Sequence, residues 1–207
     1  MTAASRERAA LVNTMRAVGP DGPTLCVGWT TRDLAAHLVL RERRPDAAAG
    51  ILVPALAGYT ARKQQQRADS TDWPELLEMV ASGPPLYSPL KLLDALVNTT
   101  EMFIHHEDVR RAAPDWQPRN LESDLASALR RQVRLASRMS LARSPATVTL
   151  RDVDGTTLPS VGNGPQCVIT GPAPELLLFL SGRDAARIGF DGDDETVAQV
   201  RAARRRL

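Results

Sequence analysis

The stretch from Asp33 to Arg41, DLAAHLVLR, constrains the fold more tightly than any other part of the chain. On a helix its leucines, alanines and valine go almost all the way round. A helix apolar on every side is a buried one, so this segment requires other helices packed about it. Its start is marked by Thr30 with Asp33 three residues on, a pair that resembles a capping box with aspartate in place of glutamate. The one residue with a polar ring inside the apolar run is His37.

A second segment, NTTEMFIHHEDV, carries Glu101 and His105 four residues apart. Positions four apart share a helix face, so carboxylate and imidazole point the same way. Ser88-Pro89 reads as an N-cap with proline in the first turn, and the helix is expected to run to Ala113, before Pro114. At about 100° per residue, Leu90, Val97 and Ile104 fall near the direction of Glu101, with Asp94, His105 and Asp108 among them. These ionisable groups therefore lie on or beside the core-facing stripe. A buried carboxylate needs a partner, and either a metal ion or an arginine would serve.

With His37 from the earlier helix, the pair makes a His/Glu/His set. Three protein ligands leave one tetrahedral position for water, a thiolate or a substrate, as catalytic zinc is held. The competing reading is a hydrogen-bonded core histidine and a Glu-x-x-x-His spacing that arose by chance. His106 points about 100° away from His105, towards Met102 and Val109, and reads as a flanking group. Glu107 reads as solvated. Asp33 either accepts the second ring N–H of His37 or only caps its helix. Cys26, just ahead of that helix, is a packing residue or an approach to the metal; Cys167, in QCVIT, reads as a buried strand residue.

The two cysteines fit neither a metal knuckle nor a disulfide framework. A net charge of +2 is too mild to indicate nucleic acid as a partner, and the terminal RAARRRL reads as a short solvated tail. No apolar stretch is long enough to cross a bilayer, and MTAASRERAALV lacks a hydrophobic signal core. The expectation is a cytoplasmic protein without a membrane partner, a monomer or homodimer. Aromatics make up only 4% of the 207 residues, so aliphatic and alanine packing must fill the core.

The texture changes near residue 145. Before it the signals are helical: Ser5 to Val18, ended by Gly19-Pro20; Thr31 to about Ala48; around Ile51 to Gln66; Trp73 to Ala81; the Glu101 helix; and Leu121 to Arg143 behind Asn120. Several long helices suggest an antiparallel bundle, which builds metal sites from inward side chains. The ADSTDWPE and SGPPLYSP stretches read as loops. After Ser144, ATVTLRDV, a DG turn and TTLPSV read as a hairpin, QCVIT as a strand, PAPELLLFLSG as a helix, ARIGF as a short strand and DDETVAQVRAA as a closing helix. The fold class is thus α+β, mainly α, with a helical bundle over 1–144 and a small α/β domain over 145–207.

The segments CVGWTTRDLAAHLVLRERRP, TEMFIHHEDVRRA and VITGPAPELLLFLSGR together resemble the mycothiol-dependent maleylpyruvate isomerase family of actinobacteria, within the DinB-like metal-binding superfamily. The resemblance implies a DinB-like four-helix bundle in which His37, Glu101 and His105 bind a divalent metal, usually zinc, and a C-terminal domain that is sterol-carrier-like and shortened. It implies a low-molecular-weight thiol such as mycothiol as cofactor and a small electrophile as substrate, with isomerisation or S-transfer as the reaction. Asp33, His106 and Asp108 are then candidate acid/base or supporting groups. Trp29 and Arg183, from the matching segments, are candidate contacts to the thiol. A non-catalytic metal-binding protein with a structural or stress-related role is the alternative.

Overall fold

The computed structural model describes residues 2–48, 50, 53–85, 88 and 98–203. The expected N-cap at Ser88-Pro89, with Leu90, Asp94 and Val97, falls largely outside these residues, as do three residues of SGPPLYSP and the last four residues of the basic tail. Packing divides the chain into two compact units, Met1–Gln117 and Pro118–Leu207.

The first unit holds α1 (Ala3–Val18), α2 (Thr31–Arg43), α3 (Pro45–Ala48), a 3-10 turn (Pro54–Leu56), α4 (Ala57–Ser70), α5 (Trp73–Ser82) and α6 (Thr99–Arg110). Helix α1 starts on the Thr2 hydroxyl, which accepts from the Ser5 N–H, and ends at Gly19, whose φ of 87° lets its N–H turn back to the Met15 carbonyl. Helix α2 has the capping box foreseen from Thr30 and Asp33. It is shorter than the expected run to Ala48, because Pro45 drives Arg44 out of the helical region to φ −131°, ψ 72° before α3 resumes.

Every residue from Leu34 to Leu40 is buried, as the all-round apolar pattern requires. Around α2 stand Leu11, Val12 and Met15 of α1, Ala68 of α4, Leu76, Leu77 and Val80 of α5, and Met102 and Val109 of α6. Burying each of the larger of these side chains is worth about 1.5–3 kcal/mol before the entropy of ordering is set against it. One ion pair is sunk in this core: the Arg8 guanidinium grips Glu42 with both Nη atoms and donates to the Val80 carbonyl at 2.9 Å. It ties α1, α2 and α5 together.

The second unit holds α7 (Ser123–Ser140), β1 (Thr147–Arg151), β2 (Gln166–Thr170), α8 (Ala173–Leu180), β3 (Gly189–Asp191) and α9 (Asp194–Ala203), with strand order β1-β2-β3. The expected hairpin after Ala146 forms only in part. Its turn is present, with Gly155 at φ 85° and its N–H on the Asp152 carbonyl, but the return arm makes isolated bridges, Arg151 to Thr157 and Val148 to Val161. Four residue steps on that arm face three on β1, and Pro159 has no N–H to add to the ladder. The continuous partner of β1 is β2, in parallel, while β2 and β3 run antiparallel.

Helix α7 buries Leu125, Ala128, Leu129, Val133 and Ser137 and packs against α8, whose residues Glu175 to Leu180 are all buried. Division by packing at Gln117/Pro118 and the change of texture after Ser144 are therefore different divisions. The first follows the side chains α7 places on α8, and the second follows the onset of strands. Cys167 is buried in β2. Among the described residues no helix is long and apolar enough to cross a membrane.

Candidate metal centre

Three pieces of the first unit converge on one spot: the middle of α2, the start and middle of α6, and the loop before α2. The loop is shaped by a turn from Cys26 to Trp29, closed by the Trp29 N–H on the Cys26 carbonyl at 2.9 Å, with Gly28 at φ 78°. That positive φ at the third position is the glycine requirement of a type II turn. The loop is fastened to α6 by the Leu25 N–H on the Asp108 carbonyl at 3.0 Å.

At the spot itself the His37 and His105 rings lie edge to face with centroids 5.4 Å apart. Glu101 Oε2 is 3.4 Å from His105 Nε2, and Arg41 Nε is 3.7 Å from the same carboxylate oxygen. The other ring nitrogen of His105, Nδ1, donates to Asp108 Oδ2 at 2.9 Å. The Cys26 thiol donates to that oxygen as well, at 3.3 Å. Trp29 also lies against His37, ring centroids 5.0 Å apart and tilted by 46°. Both histidines are buried, whereas the Glu101 side chain keeps 32% of its surface exposed.

The electrostatics sort the two imidazoles into opposite states. Burial, then the charge of His105, lowers the pKa of His37 from 6.5 to about 4, so it is neutral at pH 7. For His105 burial works in the same downward direction, but hydrogen bonds with Asp108, Cys26 and Glu101 override it and raise the pKa well above 6.5. Burial would raise Glu101, yet its hydrogen bond and charge pairing with His105, helped by Arg41, bring it down to about 2. The cluster thus already holds a cation, the proton on His105, between two carboxylates. Two imidazoles and a carboxylate also suit a divalent transition ion in place of that proton.

Two donor sets share His105. The sequence set is His37, Glu101 and His105, which the fold brings into one cluster. The set whose donor atoms all lie within 4.8 Å of one another, among the described residues, is Cys26, His105 and Asp108.

The remaining sequence candidates fall in various places. Asp33 accepts from the Thr30 N–H at 2.9 Å and the Thr30 hydroxyl at 2.7 Å, the capping alternative, while the Nδ1 of His37 meets Gln64 Oε1 at 3.3 Å. His106 is buried away from the cluster, its Nδ1 2.8 Å from Glu7 Oε1 and its Nε2 2.8 Å from the Thr14 hydroxyl. Arg183 lies in the second unit, after α8, and donates to the Ser181 carbonyl. Glu107, expected to be solvated, is fully buried. Arg110 Nη1 reaches its carboxylate at 2.9 Å and Arg111 Nε at 2.6 Å, and two guanidiniums are what make burial of that charge affordable.

Gln64 is the side chain at this centre that the sequence does not single out. It belongs to the inward stripe of α4, Thr60, Gln64 and Ala68, and the four-residue spacing of small and polar groups in TARKQQQRA was the available signal. It was hard to see because the three consecutive glutamines look alike until one is placed.

Fold and site together define a class: a helical, mainly α protein with a buried cluster of ionisable side chains that can hold a cation. No protein-family model matches the chain, and no curated protein matches it significantly. Among solved structures, the crystal structure of the mycothiol-dependent maleylpyruvate isomerase matches with a TM-score of 0.60 at 14% identity, over 92% of this chain and 91% of that one. The crystal structure of a histidine-to-alanine mutant of the same isomerase matches with a TM-score of 0.52 at 16% identity, with the same coverage. The chain has the fold of the mycothiol-dependent maleylpyruvate isomerase.

Proposed function

We propose that this protein is a metal-dependent enzyme that uses a low-molecular-weight thiol to isomerise, or transfer sulfur to, a small electrophile. The observation that carries the reading is the meeting of His37 on α2 with Glu101 and His105 on α6, ring centroids 5.4 Å apart and the carboxylate 3.4 Å from the second ring. These three side chains would hold the ion, with zinc the natural choice for such a set. A divalent ion there supplies the charge that keeps a thiol in its thiolate form at neutral pH.

The chain's own residues prepare for this. His105, with Arg41 helping, keeps the Glu101 carboxylate ionised. Asp108 holds the Nδ1 proton of His105, which leaves Nε2 as the nitrogen facing Glu101. Trp29 packs against His37 and contributes to its burial. The thiol is proposed to be mycothiol-like, by the likeness of fold to a mycothiol-dependent enzyme.

The test is elemental analysis of the purified protein, joined to a mass-spectrometric search for adducts between a low-molecular-weight thiol and a panel of electrophiles. Wild type is expected to carry about one divalent ion per chain and to form adducts or isomerised product; His37→Ala loses both. Equal turnover by the two proteins defeats the reading.

A second reading, a non-catalytic metal-binding protein, is favoured by one observation, the tight grouping of Cys26, His105 and Asp108. An ion gripped by a thiolate, an imidazole and a carboxylate in place of His37 and Glu101 would bind without an activity that depends on His37. Retained metal in His37→Ala/Glu101→Ala, lost in Cys26→Ala, selects it.

A further inference from the structure

Resting on the proposed metal centre, the inference concerns what fixes His37. An imidazole ligates through one nitrogen only if the other carries the proton, and the partner of that other nitrogen decides which is which. For His105 the deciding partner is a carboxylate on its own helix, three residues on: Asp108 can only accept, so Nδ1 is the protonated nitrogen. Among the described residues the partner hydrogen-bonded to the His37 ring is not an acid, and Asp33, one turn away, is engaged by Thr30. The neighbour at Nδ1 is Gln64 of α4, with its carbonyl oxygen 3.3 Å away. Gln64 is itself buried, with 8% of its surface exposed, in the middle of the stripe that α4 turns inward.

We infer that Gln64 is a positioning residue of the metal centre, whose side-chain carbonyl accepts the Nδ1 proton of His37 and thereby leaves Nε2 as the ligating nitrogen. Gln64 and Asp108 are then two solutions to one problem, a neutral acceptor supplied from α4 and a charged one from α6. The neutral choice has a physical consequence. The cluster already contains Glu101 and Asp108, and a third carboxylate at position 64 would bury one more negative charge beside them. An amide orients the ring without adding charge.

The experiment uses the full chain and Zn2+ alone as probe, with affinities read by competition against a chromophoric chelator, in wild type, Gln64→Leu and Gln64→Glu. In parallel, the imidazole 15N shifts of the metal-free proteins read the tautomer of each histidine, and thermal melting of the same samples reads folding. The expected result is an Nδ1–H tautomer of His37 in wild type and zinc affinity about 10–100-fold weaker in Gln64→Leu, the range typical for losing a group that orients a ligand. Gln64→Glu, which keeps the acceptor oxygen, recovers affinity relative to Gln64→Leu. Gln64→Leu keeps the volume of the side chain, so a residue that only fills space would leave affinity and tautomer unchanged.

An unchanged affinity in Gln64→Leu overturns the positioning role alone. So does an Nε2–H tautomer of His37 in metal-free wild type, an observation that requires no variant to fold. Gln64→Glu as weak as Gln64→Leu at every pH also overturns it. Failure of wild type to take up zinc overturns the proposed function itself, and the positioning role with it.

Discussion

Helix α6 presents two adjacent histidines to two different parts of the bundle, and their surroundings differ in kind. His106 turns to α1, where Glu7 and Thr14 each take one ring nitrogen at 2.8 Å; both nitrogens are satisfied by protein and the ring is 3% exposed. His105 turns to α2 and the Cys26 loop. It meets Asp108 on one nitrogen, but on the other finds Glu101 at a looser 3.4 Å and a second imidazole alongside. A histidine that closes its hydrogen bonds within the core contributes to stability. One that leaves a nitrogen facing a half-exposed carboxylate and another ring leaves room for an ion.

The largest expected difference is in metal uptake. His37→Ala, Glu101→Ala and His105→Ala should each weaken zinc binding by more than about a hundredfold, since even groups that only orient ligands are worth 10–100-fold. His106→Ala should stay within a few-fold of wild type by the same chelator competition. A hundredfold loss in His106→Ala would erase the distinction between the two faces.

The next effect belongs to stability. His106→Ala removes a hydrogen-bond partner of Glu7, a buried acid, and losing one hydrogen bond to a charged group costs about 1.5–3 kcal/mol. Urea unfolding of the metal-free protein should show that loss, with His106→Gln intermediate. A smaller loss than in His105→Ala would argue that α1 does not depend on this contact.

Proton release sharpens the comparison further. At pH 7 His37 is already neutral and Glu101 already ionised, so only the raised His105 proton must leave for His37, Glu101 and His105 to ligate together. Zinc affinity should therefore rise about tenfold per pH unit up to the elevated pKa of His105, with one proton released per ion, measurable by calorimetry in buffers of different ionisation enthalpy. A release of none, or of two, contradicts the assignment of states.

In the metal-free protein the same groups act on stability with opposite signs. The lowered pKa of His37 contributes stability above 6.5 that disappears as pH falls towards 4. The raised pKa of His105 contributes stability below 6.5 that is lost as pH climbs through its elevated value. Melting curves across pH should show the acid-side loss flattened in His37→Phe. An unchanged acid limb would mean His37 is not held neutral by burial.

The smallest expected effect is that of Cys26→Ser, a few-fold change in zinc affinity at most if the thiol only donates to Asp108. A loss as large as that of His105→Ala would transfer the site to Cys26, His105 and Asp108.

Much of this was legible in the chain. The burial of α2 follows from Leu34 to Leu40 lying round a helix, its start from Thr30 and Asp33, and the shared direction of Glu101, His105 and Asp108 from spacings of three and four. Local periodicity carries that information because helix geometry is the same everywhere. The return arm of the hairpin was misjudged because a bulge at a proline changes register without changing the apolar pattern.

The sequence by itself determined that an imidazole and a carboxylate–imidazole pair sit on core-facing stretches of two helices, because side-chain direction on a helix is a local property. Only the tertiary structure decided which groups from other elements come to these rings and their partners: Gln64 from α4 for His37, the Cys26 thiol for the Asp108 that His105 faces on its own helix, and Glu7 from α1 for His106. It also decided that Glu107 is buried, although its two arginines stand only three and four residues further on. Hydrogen bonds act over about 3 Å, and contacts between side chains far apart in the sequence exist at that range only once the helices have packed.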